Sequence, residues 1–258
     1  MNKFEKLMMI AARPALWRPF LRGAVASMEH HAALHRLDLR TCIDIGANKG
    51  QFSVLCQYLF PGIRIFAFEP LPDVAKRCEA AIGNANSQVH VHALGAIDNR
   101  SQFYVTERSD SSSLLLPGIA QERAYGSRVA GAVDVDVHRL DGVMTAAQIA
   151  RPALMKLDVQ GAELDVLAGC GSLLRDVDYI YLEGSFVELY EGQALITDIV
   201  TFLDREGFAF RGVYNTSYTR DYGTTQADFL FERVPRPDDV KDTRATIAQP
   251  VDRGLIPA

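Results

Sequence analysis

The run Ala153–Gly161, ALMKLDVQG, sets two opposite charges into an otherwise apolar stretch. Read as a strand, its two-residue period puts Leu154, Lys156 and Asp158 on one face, with Asp158 at the exit and Gly161 opening the next helix. A charge inside an apolar strand is costly unless it is paired or employed. The bland reading is a structural Lys156–Asp158 ion pair; the functional one is a site at the productive edge of a sheet, where Asp158 removes a proton from a reacting group. Glu163 follows in the first helical turn, where the helix dipole stabilises a carboxylate. The next apolar run, Val177–Glu183, ends in Glu183-Gly184-Ser185 and sets a second carboxylate beside Asp158. Two adjacent carboxylates can share a divalent cation, with Asp158 and Glu183 as its ligands, or raise one pKa to make a base. The sequence leaves both options open. His138, near the end of an earlier strand-like run, Val133–Val137, is a further candidate proton acceptor. His30, His31 and His35 sit in the N-terminal segment, and His90 and His92 face one side of the third strand without a carboxylate partner in the motif.

A second chemical feature lies upstream. Thr41–Gly50, TCIDIGANKG, is an apolar run that breaks into Asp44-x-Gly46-x-x-x-Gly50 and reads as strand, glycine turn and helix. Glycines let the backbone turn sharply and a ligand approach closely. The helix that follows offers unpaired N–H groups at its start. A dinucleotide fingerprint would place glycine where Asp44 stands. A carboxylate there repels pyrophosphate but suits a ligand bearing an ammonium group, such as the methionine moiety of S-adenosylmethionine. A triphosphate loop would need Lys then Ser or Thr after the last glycine, and Gly50 is followed by Gln51-Phe52. The next strand-like run, Ile63–Phe68, ends in Glu69-Pro70, and Glu69 lies 19 residues beyond Gly50. From that position a carboxylate reaches the ribose hydroxyls of a nucleoside in Rossmann-like sites.

These residues need elements to position them. Strand-like runs at 41–45, 63–68, 88–93, 153–158 and 178–183 alternate with helix-like stretches at 50–59, 71–83, 162–175 and 193–206. Such alternation specifies a parallel sheet with helices on both faces. Two further strands, 207–214 and 226–232, flank the polar turn 215–225 and form an antiparallel hairpin at the sheet edge. The expected fold is α/β, a mostly parallel seven-stranded sheet. Between the third and fourth core strands lies an insertion at about 98–150, with strand-like Gln102–Thr106 and Val133–Val137 around the loop 107–128. A loop this long reads as a cover over the site or, failing that, as a disordered segment.

Residues 1–40 form an expected helical cap, 41–233 the main domain and 234–258 an extended tail. The apolar stretch after Lys3 and Lys6 is too short for a secretory or membrane-spanning segment. Phe4 to Met28, with Trp17, Phe20, Leu21 and several arginines, packs on the domain or else touches a membrane surface peripherally. The chain has 258 residues, 48% hydrophobic and 23% charged, enough for a full core. Its net charge of −5 argues against a nucleic-acid partner. Cys42, Cys56, Cys78 and Cys170 form no C-x-x-C pair and read as reduced core residues of a cytoplasmic protein. Nothing in the sequence specifies an oligomeric state.

Together these blocks resemble the FkbM-type methyltransferases over Thr41–Arg233: IDIGANKGQFS, FAFEP, Ala93-Leu94-Gly95, the serine cluster before Leu114, VHRLDGV, MKLDVQGAELDVLAG and IYLEGS. The resemblance implies a Rossmann-like methyltransferase fold, S-adenosylmethionine as cofactor and O-methyl transfer. It implies that Asp44, Gly46, Ala47, Asn48, Gly50, Glu69 and Pro70 bind the cofactor, that Ser112 and Ser113 close over it, and that Lys156, Asp158 and Glu163 form the catalytic neighbourhood. It also implies acceptors such as sugars of polysaccharides and glycolipids or macrolide-type metabolites. His138 stands where such proteins more often have threonine. Nicotinamide-dependent oxidoreduction and a non-catalytic binding module are the competing readings; Asp44 weighs against the first, and intact Lys156, Asp158 and Glu163 against the second.

Overall fold

The computed structural model describes residues 8–107 and 109–235. The tail beyond 235 and Lys3, Phe4 and Lys6 lie outside the described residues. Seven strands form one sheet: β1 (Thr41–Ile45), β2 (Arg64–Phe68), β3 (Ser87–His90), β7 (Ala153–Leu157), β8 (Tyr179–Ser185), β9 (Phe208–Thr219) and β10 (Gly223–Arg233). Their spatial order is β3-β2-β1-β7-β8-β10-β9. The first five run parallel, and β10 pairs antiparallel with both β8 and β9. The expected sheet with its antiparallel edge hairpin is therefore present. A smaller sheet of order β4-β6-β5, with β4 (Ala93–Leu94), β5 (Asn99–Thr106) and β6 (Val129–His138), is the insertion's framework.

Alternation along the strands sends side chains to two cores. Ile43, Ile45, Phe66, Phe68, Met155, Leu157, Ile180 and Leu182 meet Val166 and Leu167 of α4 (Glu163–Gly169) and Ile199 and Leu203 of α5 (Ile196–Arg205). On the other face, Cys42, Ile65, Ala67, Leu154 and Tyr181 meet Phe52 and Leu55 of α1 (Gln51–Leu59) and Cys78 and Ile82 of α2 (Pro72–Ile82). Ile10, Leu16, Met28 and Leu34 of the N-terminal segment join this second core, while Trp17 and Leu21 remain exposed. All four cysteines are free and buried. Among the described residues no helix is long and apolar enough to cross a membrane.

Several boundaries differ from the sequence reading for local reasons. The run 88–93 is two elements: β3 ends at His90, exposed Val91 interrupts it, and Ala93–Leu94 crosses to the small sheet beside β6. The helix expected over 162–175 stops at Gly169, where the carbonyl of Gly95 fills the space a Cβ would take, and resumes as the 3₁₀ segment Gly171–Asp176, whose first residue has a left-handed backbone. The hairpin strands extend through most of the expected polar turn because bulges near Gln226 absorb the register mismatch. The loop 107–128 holds a 3₁₀ turn at Ser109–Ser111 and α3 (Ile119–Tyr125), and it docks on the domain through an antiparallel bridge between Pro117 and Tyr190.

The glycine turn is locked to β7. Gly46 has φ +75, and a Cβ there would lie 1.9 Å from the carbonyl oxygen of Asp158. Gly62 also has positive φ, but nothing lies within 4 Å of its virtual Cβ. We expect Gly46→Ala to lower unfolding free energy by about 3 kcal/mol, combining left-handed strain with overpacking, and Gly62→Ala by about 1 kcal/mol from strain alone. Urea denaturation of both variants checks this; equal losses would show that the contact with Asp158 is not tight.

Candidate active site

The carboxyl ends of β1, β2 and β7 open into a cleft of about 690 Å3, counting the space open to solvent. One wall is the turn after β1 with Gly46 and Asn48, and beside it stand Glu69, Pro70, Leu71 and Val74. Phe103, Asp110, Ser112 and Leu114 come from the insertion, and Asp158, Val159 and Gln160 from the exit of β7.

Lys156 lies at the centre of the polar framework. The β1–β7 register pairs it with Asp44, so both side chains share a face of the sheet. Lys156 is 6% exposed and Asp44 is fully buried. Its Nζ lies 3.3 Å from Asp44 Oδ1 and 3.4 Å from Asp158 Oδ2, and donates to the carbonyl of Gly46 at 3.1 Å. Burial alone would lower the pKa of this lysine, but the charges of Asp158 and Asp44 more than reverse that and hold it above the ordinary value. Asp44 Oδ2 also accepts from the Ser53 hydroxyl at 2.6 Å. The carboxylate of Asp44 thus sits beneath the glycine turn, bound to Lys156 and Ser53, rather than on the cleft wall.

Glu69 occupies the ridge between turn and cleft. Its two oxygens accept from the backbone N–H groups of Asn48 and Leu71, each at 3.0 Å. Burial raises its pKa, and these two donors pull it back. Each oxygen keeps a lone pair for a further donor. Asn48 has φ +49, and its side-chain oxygen is buried without a partner. Ala47 and Gly50 shape the turn without lining the cleft: Ala47 N–H donates to Phe68 O, and a Cβ on Gly50 would meet Ile82 and Cys78. Ser112 lines the cleft and accepts from Thr106 N–H. Ser113 is buried behind it, its hydroxyl donating to the carbonyl of Gln160 at 2.8 Å.

The acceptor-side candidates divide. Asp158 lines the cleft with 42% of its side chain exposed. Glu183 stands next to it, joined through Gln160, whose Nε2 lies 2.7 Å from Asp158 Oδ1 and 2.8 Å from Glu183 Oε2. Burial first and the charge of Asp158 second raise the Glu183 carboxyl well above its usual range. Glu163 is 2% exposed and turns back onto its own loop, accepting from the N–H groups of Val159 and Gly161. It does not line the cleft. His138 lies apart as well, with Nδ1 3.4 Å from Asp98 Oδ1 and its ring edge-on to His92.

The Asp158–Glu183 pair does not fit a divalent cation. Such an ion takes roughly six oxygen ligands, whereas an amide N–H group already fills the gap between these carboxylates. Among the described residues no group of three or more His, Cys, Asp or Glu is placed to hold a metal. Sequence reasoning passed over Gln160 as a contact residue, together with Asp110, Leu71 and Phe103. A neutral glutamine in D-V-Q-G carries no signal that it will bridge two strands, because the bridge depends on a left-handed backbone at Gln160, φ +57.

A doubly wound sheet with an acidic, glycine-rich turn after β1, an acid after β2 and an antiparallel β10–β9 edge defines the class of S-adenosylmethionine-dependent methyltransferases. Residues 44–210 match the methyltransferase FkbM domain, and the chain belongs to that family. Its relatives include the 2-O-methyltransferase NoeI of Sinorhizobium fredii, 31% identical over 62% of this chain and 70% of that protein. The 31-O-demethyl-FK506 methyltransferase FkbM of Streptomyces tacrolimicus is 27% identical over 67% of this chain and 75% of its own length. The hexuronic acid methyltransferase AglP of Haloferax volcanii is 25% identical over 54% of each.

Glu163 has a measurable consequence. Burial, partly offset by its backbone donors, raises its pKa to about 7. Its folded pKa exceeds its unfolded one, so the stability it contributes is full below pH about 4.5 and is lost as pH rises through about 7. Denaturation of wild type and Glu163→Gln between pH 4.5 and 8 should show the variant gaining about 3 kcal/mol relative to wild type across that window. Parallel stability curves would mean that Glu163 titrates normally in the fold.

Proposed function

We propose that this protein is a cytoplasmic O-methyltransferase that methylates a sugar hydroxyl of a glycan or glycolipid precursor. The observation that carries this reading is one cleft bounded by the glycine turn and Glu69 on one side and by Asp158, braced by Lys156, on the other. S-adenosylmethionine, when bound there, supplies an electrophilic methyl group. Glu69 has lone pairs to hold the ribose hydroxyls, the unpartnered oxygen of Asn48 offers a further acceptor, and Leu71, Val74 and Phe103 offer apolar contact. Asp44 acts through the turn it underpins. Ser112 and the insertion cover the site, with Ser113 pinning that cover to the exit of β7.

On the acceptor side, Asp158 takes the hydroxyl proton as the oxygen–carbon bond forms and the sulfur–carbon bond breaks. Lys156 keeps that carboxylate oriented. The polar rim of Asp110, Ser112, Asp158 and Gln160 suits a hydroxyl-rich acceptor, and AglP bears a sugar acid in its name. The second reading, an O-methyltransferase of a polyketide-type or other small metabolite, is supported by the name of the Streptomyces relative. Four buried free thiols support a reducing compartment.

Calorimetry with S-adenosylmethionine tests the donor half. Glu69→Ala should weaken binding about 100-fold, the loss of charged hydrogen bonds, whereas Asp158→Asn should bind as wild type does. In a methyl-transfer screen over sugar and small-metabolite acceptors with mass detection, Asp158→Asn should lower kcat by about 10²- to 10⁴-fold. No binding by wild type would sink the donor site; undiminished turnover by Asp158→Asn would make Asp158 structural.

A further inference from the structure

The loop leaving β7 contains a bridge that the proposed chemistry does not by itself require. Gln160 adopts a left-handed backbone, an arrangement disfavoured for a residue with a side chain. That backbone turns its amide between two strands, where the –NH2 group donates to Asp158 Oδ1 at 2.7 Å and to Glu183 Oε2 at 2.8 Å. The orientation of the amide is not free. Its oxygen lies 2.7 Å from the hydroxyl of Tyr190, which donates to it. A flipped amide would aim that oxygen at two carboxylates.

Tyr190 is 2% exposed and is held in turn by the insertion. Its hydroxyl also lies 3.0 Å from the carbonyl of Ser111 and accepts from Gln121 Nε2 of α3 at 3.1 Å. Backbone bonds fasten the same segment: Gly118 N–H donates to Leu189 O at 2.8 Å, and Glu191 N–H to Leu116 O at 2.9 Å.

We infer that Gln160 is a positioning residue of the acceptor side, its amide holding Asp158 and Glu183 together, and that Tyr190, docked by the insertion, sets the direction of that amide. The inference rests on the reading that Asp158 faces the acceptor. Asp158 is then restrained at both oxygens, by Gln160 on Oδ1 and by Lys156 on Oδ2. Adjacent carboxylates without such a donor share a proton, and a protonated Asp158 takes none from a hydroxyl. The surroundings of the pair make the donor matter: Asp228 stands opposite Glu183 on β10, Glu163 adds negative charge from α4, the side chain of Gln226 on β10 offsets part of this by hydrogen-bonding Glu183, and Lys156 with its partner Asp44 is the cation beside Asp158. A properly seated insertion thereby readies the carboxylate it covers.

The test follows the side-chain carboxylates of the full-length protein by carbon-13 NMR as a function of pH, assigned with Asp158→Asn and Glu183→Gln. Tyr190→Phe keeps the ring and Gln160 but removes the hydroxyl, and Gln160→Ala removes the amide. Both should raise the titration midpoint of the Asp158–Glu183 pair, Gln160→Ala by about one pH unit and Tyr190→Phe by less. Gln160→Asn, too short to span both carboxylates, should not restore it. Midpoints unchanged in folded Tyr190→Phe and Gln160→Ala would overturn the inference, and Tyr190→Phe decides alone should Gln160→Ala fail to fold. Wild-type affinity for S-adenosylmethionine is read separately. Its absence together with shifted midpoints defeats the enzyme reading and leaves the bridge standing; normal affinity with unmoved midpoints does the reverse.

Discussion

A buried lysine organises this protein. Removing an ammonium group from water costs several kcal/mol unless opposite charge and hydrogen bonds replace the solvent. Lys156 obtains both from residues far apart in the chain: Asp44 on β1, Asp158 at the exit of β7 and the carbonyl of Gly46 in the glycine turn. That requirement couples the parts. A one-residue slip of β7 against β1 would turn Lys156 toward the opposite apolar core, and a displaced turn would strip it of the Gly46 carbonyl. The same ion therefore fixes strand register, the shape of the turn and the carboxylate that faces the cleft.

The position of this cluster follows from topology. The chain builds β1, β2 and β3 toward one edge and then, after the insertion, returns to place β7 and β8 on the other side of β1. The reversal falls between β1 and β7, where loops leaving neighbouring strands diverge and open a crevice at the carboxyl ends. Both halves of the cleft are these diverging loops. The insertion leaves the main sheet after β3 and carries Phe103, Asp110, Ser112 and Leu114 back over the opening. Its small sheet holds it in shape, and its bridge to Tyr190 holds it in place.

The sequence showed what strand periodicity can carry. An acid that closes an apolar run lies at the carboxyl end of a strand, and so Glu69 and Asp158 were legible as wall residues of a shared cleft. Side-chain direction beyond the strand was not. The charge of Asp44 suggested a partner in the cofactor, but its alternation with Ile43 and Ile45 sends it under the turn, where Lys156 meets it. Glu163 was read as part of the catalytic neighbourhood; as a helix-start carboxylate it finds the loop's own N–H groups first. Gln160 and Tyr190 are 30 positions apart, and no local pattern announces a contact that depends on a left-handed residue and a docked insertion.

The two halves of the cleft differ in how firmly the fold dictates them. One half consists of backbone and strand ends: the Gly46–Asn48 turn and Glu69, whose oxygens are set by N–H groups of the turn and of Leu71. Little in it can change without disturbing the sheet. The other half is assembled from side chains on the insertion and on the segment after β8, joined by Gln160, Tyr190 and Gln121. Those segments border the sheet without forming its core, so their side chains can be exchanged while Lys156 continues to hold register and turn. Strand ends thus fix the turn and Glu69, while the insertion and the segment after β8 shape the rest of the cleft around Asp158.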